Sequence, residues 1–195
     1  MSNMSKKKMI AMTALVIVIA ILGTGTLAYF TTRTVVHNVI TSGGVKIELV
    51  ETMLNDKKEE VPFVNQEGVM PGQEVSKIVR VTNKDAKAWV RIHVTETIND
   101  RPDRENVITM NCNLGKAPTQ WTKKGEWYYY NKPLEPGETT DPLFKGVTFA
   151  GKEMDNDYQN ANIKISVKAE AIQYANNTDF DKAWPEDKTI ENAIY

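Results

Sequence analysis

The stretch "ANIKISVKAEAIQYA" (residues 161–175) alternates without a break. Ile163, Ile165, Val167, Ala169 and Ala171 fall on one side, and Lys164, Ser166, Lys168 and Glu170 on the other. A period of two is that of an extended chain with one face buried, whereas an amphipathic helix repeats every 3.6 residues. The same rule picks out three more runs. "GVKIELVET" puts Val45, Ile47 and Leu49 opposite Lys46 and Glu48. "VSKIVRVTN" sets Val79 and Val81 against Arg80 and Thr82. "KAWVRIHVTETI" turns Val90, Ile92 and Val94 inward if Arg91, His93 and Thr95 face water. Further strands are predicted at residues 120–122, 126–130 and 143–149. Seven or more short strands punctuated by Pro and Gly predict an all-β fold, an antiparallel β-sandwich.

The chain begins quite differently. Lys6, Lys7 and Lys8 precede "MIAMTALVIVIAIL", 14 residues (9–22) interrupted only by Thr13, and small residues then lead to Thr26-Leu27-Ala28. Positive, apolar and small-residue parts in that order make a secretory signal peptide, here residues 1–28, with the cut between Ala28 and Tyr29. The apolar run falls short of the roughly 20 residues that cross a bilayer as a helix. Counted through Phe30, with glycines and threonines included, it is also just long enough for an uncleaved anchor. Nothing polar marks a stripe on it, which argues against a buried amphipathic helix.

Cleavage removes three lysines and no acid, leaving 21 basic against 25 acidic residues, a net charge of −4. Nucleic acid is therefore not an expected partner, since it calls for a basic patch. The remaining part suits one domain with one core. Cys112 is the single cysteine, so no disulfide within the chain can staple that core. Stability must come from burial and strand pairing, a pattern of exported bacterial proteins more than of small disulfide-rich domains.

The mature chain divides into an N-terminal segment (29–42), a sandwich (43–175) and a polar tail (176–195). Within the tail, "DFDKAWP" predicts one helical turn that docks Phe180 and Trp184 on the sandwich. "RPDRENV" (101–107) and "KEMDNDYQN" (152–160) read as loops. Two turns share a pattern: "MPGQEVSKIVRV" and "EPGETTDPLFKGVTF" each run Pro-Gly, an acid, then a strand. Pro71-Gly72 and Pro136-Gly137 suit type II turns, in which proline presets the first central residue and glycine takes a positive φ at the second. They read either as a weak internal duplication or as two independent loop starts.

Reactive groups do not converge. His37 and His93 belong to no H-E-x-x-H helix, and Cys112 has no nucleophile signature and reads as a small hydrophobe. No G-x-S-x-G, P-loop or G-x-G-x-x-G occurs. "DNDYQN" (155–160) clusters oxygen ligands but lacks the glycine and the terminal Glu of an EF-hand loop. "WYYY" (127–130) is a candidate carbohydrate platform; strand alternation would instead bury one pair and leave the other at an edge. The expectation is a protein without catalytic residues, metal or cofactor.

The lysines and apolar run, then "GTGTLAYFTT", "GVKIELVE", "MPGQEVSKIVRVTN" and "WYYYNKPLEPGE", together resemble the TasA/camelysin family of exported bacterial proteins. The likeness covers most of the chain and is weakest in the middle loops and the tail. It implies processing by a SipW-type signal peptidase and a jelly-roll sandwich secreted to the cell surface. It further implies self-association into biofilm-matrix fibres by donor-strand exchange, a role falling here on residues 29–40. Some family members are described as casein-cleaving metalloproteases, an activity for which these residues offer no metal site.

The residues of that segment suit the role on physical grounds. "YFTTRTVVHNVI" is rich in β-branched and aromatic residues, which favour extended structure. Phe30, Val36 and Ile40 share one face while Tyr29, Val35 and Val39 share the other. A strand apolar on both faces needs cover on both, as in addition to a foreign sheet edge; pairing within its own sandwich would satisfy it too. Before cleavage, contact of the signal helix with the membrane would block insertion. The expected function is thus an exported fibre subunit. The alternatives are a surface-anchored glycan- or protein-binding module and a secreted metalloprotease.

Overall fold

A computed structural model describes residues 30–36, 40–42, 45–98, 107–154, 158 and 161–184. The expected signal helix, the cut at Thr26, Ala28 and Tyr29, and Val39 lie outside the described residues, as do His37 and most of "DNDYQN". The protein is predominantly β, and most of its strand pairs are antiparallel.

In chain order the strands are β1 (Phe30–Val36), β2 (Ile40–Ser42), β3 (Ile47–Leu54), β4 (Glu60–Pro62), β5 (Gln66–Val69), β6 (Glu74–Ser76) and β7 (Ile78–Asn83). There follow β8 (Ala88–Ile98), β9 (Ile108–Met110), β10 (Trp121–Lys124), β11 (Trp127–Tyr130), β12 (Gly146–Phe149) and β13 (Asn162–Gln173). A short helix, α1 (Phe180–Ala183), comes last among the described residues.

The alternating stretch is β13, and it occupies the middle of the larger sheet, ordered β10-β11-β8-β13-β1-β5. It pairs antiparallel with β8 from Ile163↔Ile98 to Gln173↔Ala88. Its apolar residues at 163, 165, 167, 169 and 171 are at most 2% exposed. Two smaller arrays, β4-β3-β7 and β6-β12-β9, are joined by the chain that leads into β12. Lys77 and Val79 donate backbone bonds to Lys145 and Phe144, while Leu143 and Thr140 donate to Val79 and Val81. One apolar cluster takes residues from all three arrays, including Ile47, Val79, Val81, Val90, Ile92, Val147, Phe149 and Ile165. Alternation in β3, β7, β8 and β13 thus has a single cause: every apolar face turns to the same interior.

Three expectations need correction. Not all pairing is antiparallel: β1 and β2 run parallel to β13. Arg91 does not face water but is 4% exposed, because the side of β8 away from the main core has a cover of its own. The "WYYY" strand has no exposed pair either; Tyr128, Tyr129 and Tyr130 are all buried. Tyr128 and Tyr130 join the main core, whereas Tyr129 enters a second cluster with Trp89, Ala183 and Trp184, against which Trp127 and Phe180 pack. That second cluster is the docking of the tail.

Candidate functional site

β1 enters the larger sheet between β13 and β5. It pairs parallel with β13 from Thr31↔Asn162 to Val36↔Val167 and antiparallel with β5 at Phe30↔Val69 and Thr32↔Gln66. β2 continues along the same edge of β13, with Ile40 opposite Glu170. Val35, Val36 and Ile40 are therefore in the ladder that flanks β13, while Phe30 pairs with Val69 of β5.

The connectivity of this site matters more than its length. A parallel pair cannot be joined by a tight hairpin and needs a long connection. Nearly the whole chain separates β1 from β13, and β2, β3 and β4 intervene before β5. No local turn fixes β1 to either neighbour. Yet β5 has no strand partner but β1 among the described residues, so β1 is what ties β5 to the sheet.

Beside β5 the interior changes character. On β3, Glu51 continues the inward series of Ile47 and Leu49, and Lys77 continues that of Val75, Val79 and Val81. Lys77 Nζ lies 2.5 Å from Glu51 Oε1, and their side chains are 1% and 6% exposed. The ammonium also sits 4.0 Å from the centre of the Phe63 ring. Burial pushes the pKa of Lys77 below its ordinary value, against the opposing pull of Glu51. Glu51 Oε2 is buried and makes no hydrogen bond. Both residues are legible in the sequence as charges in phase with apolar neighbours.

On the other side of the sheet, the Arg91 guanidinium lies between two indoles, 3.9 Å from the ring centre of Trp127 and 4.2 Å from that of Trp184. It donates from Nε and Nη2 to Glu170 Oε2 at 2.9 and 2.7 Å. Burial works against the Glu170 carboxylate, but hydrogen bonds from Lys168 and Arg91 hold its pKa below the ordinary value. Trp89 Nε1 donates to the Asn177 carbonyl, and Asp179 caps α1 by accepting from Asp181 N. "WYYY" is thus consumed in internal packing, with only Trp127 partly open.

The two Pro-Gly turns have the same construction. Gly72 and Gly137 have φ of +79° and +82°. In each, the residue after glycine donates to the carbonyl of the residue before proline, Gln73 to Met70 at 3.1 Å and Glu138 to Glu135 at 3.0 Å. Each side chain then reaches back: Met70 N donates to Gln73 Oε1, and Glu135 N to Glu138 Oε2. Each turn also brackets one strand residue. Gly72 donates to Phe149 O while Phe149 donates to Gln73 O; Gly137 donates to Asn83 O while Asn83 donates to Glu138 O. Phe149 ends the strand that follows the second turn, and Asn83 ends the strand that follows the first. The two turn–strand units lie antiparallel and each caps the other. Gly137→Ala should cost about 1–2 kcal/mol, since a Cβ there meets nothing within 4 Å and only the left-handed backbone opposes it. Urea denaturation checks this, and Gly137→Asn should lose less because asparagine tolerates that conformation.

Cys112 is partly buried against the core, and burial pushes its thiol pKa up, away from nucleophilic character. Among the described residues no three His, Cys, Asp or Glu gather as a metal would need. No helix among them is long and apolar enough to cross a membrane. Comparison with protein-family models, with curated proteins and with solved structures finds no match.

Proposed function

We propose that this chain is an exported structural protein, a subunit of extracellular biofilm-matrix or cell-surface fibres that passes its N-terminal strand to the next copy. The observation that carries the reading is the place of β1, a strand that completes the sheet yet is tied by no hairpin to either neighbour. Such a strand can be replaced by the same strand of a second molecule with its pairing conserved, which is domain swapping of a sheet strand. The signal-like N-terminus supplies the order of events. A SipW-type signal peptidase cuts after Ala28 and ends the transient membrane contact. The segment after the new N-terminus, with β1 in it, is then free to move, and the sandwich, wound as a jelly roll, accepts it outside the cell.

The test is electron microscopy of purified protein beginning at Tyr29, beside a variant lacking residues 29–40. The full mature chain should form fibres, and the shortened chain should stay monomeric and bind a synthetic 29–42 peptide. Fibres from the shortened chain would sink the proposal.

A further inference from the structure

We infer that the buried Lys77–Glu51 pair is a built-in weakness that sets how readily β1 leaves its own sheet. The pair belongs to the part of the interior beside β5. Phe63, whose ring covers the ammonium, lies three residues before β5 and donates its backbone N–H to Glu51 O. Met53, in phase with Glu51 on β3, accepts at Sδ from Gln66 Nε2 at 3.4 Å. Gln66 is the residue of β5 paired with Thr32 of β1. The cover over the ammonium is therefore the Phe63 ring, on the chain that runs into β5, and β1 is the one strand partner of β5 among the described residues.

Taking both charges out of water is costly, and their attraction compensates only when the remaining lone pairs are satisfied. Glu51 Oε2 is not satisfied. When β1 withdraws, β5 loses its partner, the cover loosens and water reaches the pair. The desolvation cost is then refunded to the open state, while the all-apolar interior between β8, β13 and β7 keeps the rest of the fold closed. The released strand is favoured locally instead of through general instability. The use of this opening in assembly rests on the strand-exchange reading above; the opening itself is a property of the monomer.

Amide hydrogen exchange on monomeric mature protein tests it. Lys77→Met with Glu51→Leu, which replaces the pair by apolar side chains of similar size, should slow exchange in β1 and β5 by about tenfold relative to β8, the scale known for such replacements. Glu51→Gln, which removes the carboxylate charge beside the buried ammonium, should speed exchange in β1 and β5 more than in β8. Should the double variant fail to fold, the Glu51→Gln comparison decides alone. Equal changes in β1, β5 and β8, or none, overturn the inference. Fibre formation by the unaltered protein is read separately, so either idea can fail without the other.

Discussion

Arg91→Ala is expected to lower the unfolding free energy by about 3 kcal/mol, near the lower end of the range for breaking a buried pair. Three losses combine. The guanidinium plane leaves the space between Trp127 and Trp184, which removes two stacking contacts and opens a cavity between the sheet and the tail. Glu170 loses two donors on one oxygen. Trp184, whose indole N–H is already buried without a hydrogen bond, loses the cation that helps hold it. Lys168 remains 2.7 Å from Glu170 Oε1, so the carboxylate is not left alone, which is why the loss should not reach 5 kcal/mol. Arg91→Lys keeps the charge but not the plane, and should recover only part. Urea denaturation followed by tryptophan fluorescence reads both variants. A loss below about 1 kcal/mol, typical of an exposed pair, would mean that the tail does not seal this face.

What the sequence made legible follows from how far each signal reaches along the chain. Alternation in β3, β7, β8 and β13 is local and was readable, as were the positive-φ glycines of the two turns. The docking of Phe180 and Trp184 was readable too, because two aromatics in a polar tail need somewhere to go. The same docking then explains the errors on Arg91 and "WYYY". Alternation separates two faces of a strand but does not say that the second face is also covered. That cover comes from a segment some 50 to 90 positions away. The parallel placement of β1 and β2 beside β13 was not readable either. Their composition predicts strands apolar on both sides, and nothing local distinguishes parallel from antiparallel partners. The charged pair was visible as two residues out of place, Glu51 among apolar phases of β3 and Lys77 among those of β6 and β7. Only the fold brings them within 2.5 Å of each other.

Thr32→Pro is expected to abolish fibre formation while leaving the body of the protein folded. Thr32 is the position where β1 has neighbours on both sides, Ile163 on β13 and Gln66 on β5. The register with β5 shifts between Phe30 and Thr32, but the ladder with β13 is regular from Thr31 to Val36, and proline within it removes a donor and disturbs that pairing at a cost of about 1–3 kcal/mol. The closed monomer and a strand-exchanged fibre use the same pairing, so the substitution weakens both and cannot shift one into the other. The fold and the assembly differ in what else holds them. β13 keeps its whole ladder with β8, and the interior shared by β3, β7, β8 and β12 is untouched, so the monomer has reserves. A fibre joined through β1 has none. Ser166→Pro is the contrasting control, because it lies on β13 between Thr95 of β8 and Val35 of β1 and should unfold the domain. Thermal unfolding and electron microscopy of the two variants separate the cases. Fibres growing at the unaltered rate from Thr32→Pro would remove β1 from assembly. Global unfolding of Thr32→Pro would place β1 in the cooperative core, where no strand could be spared for a neighbour.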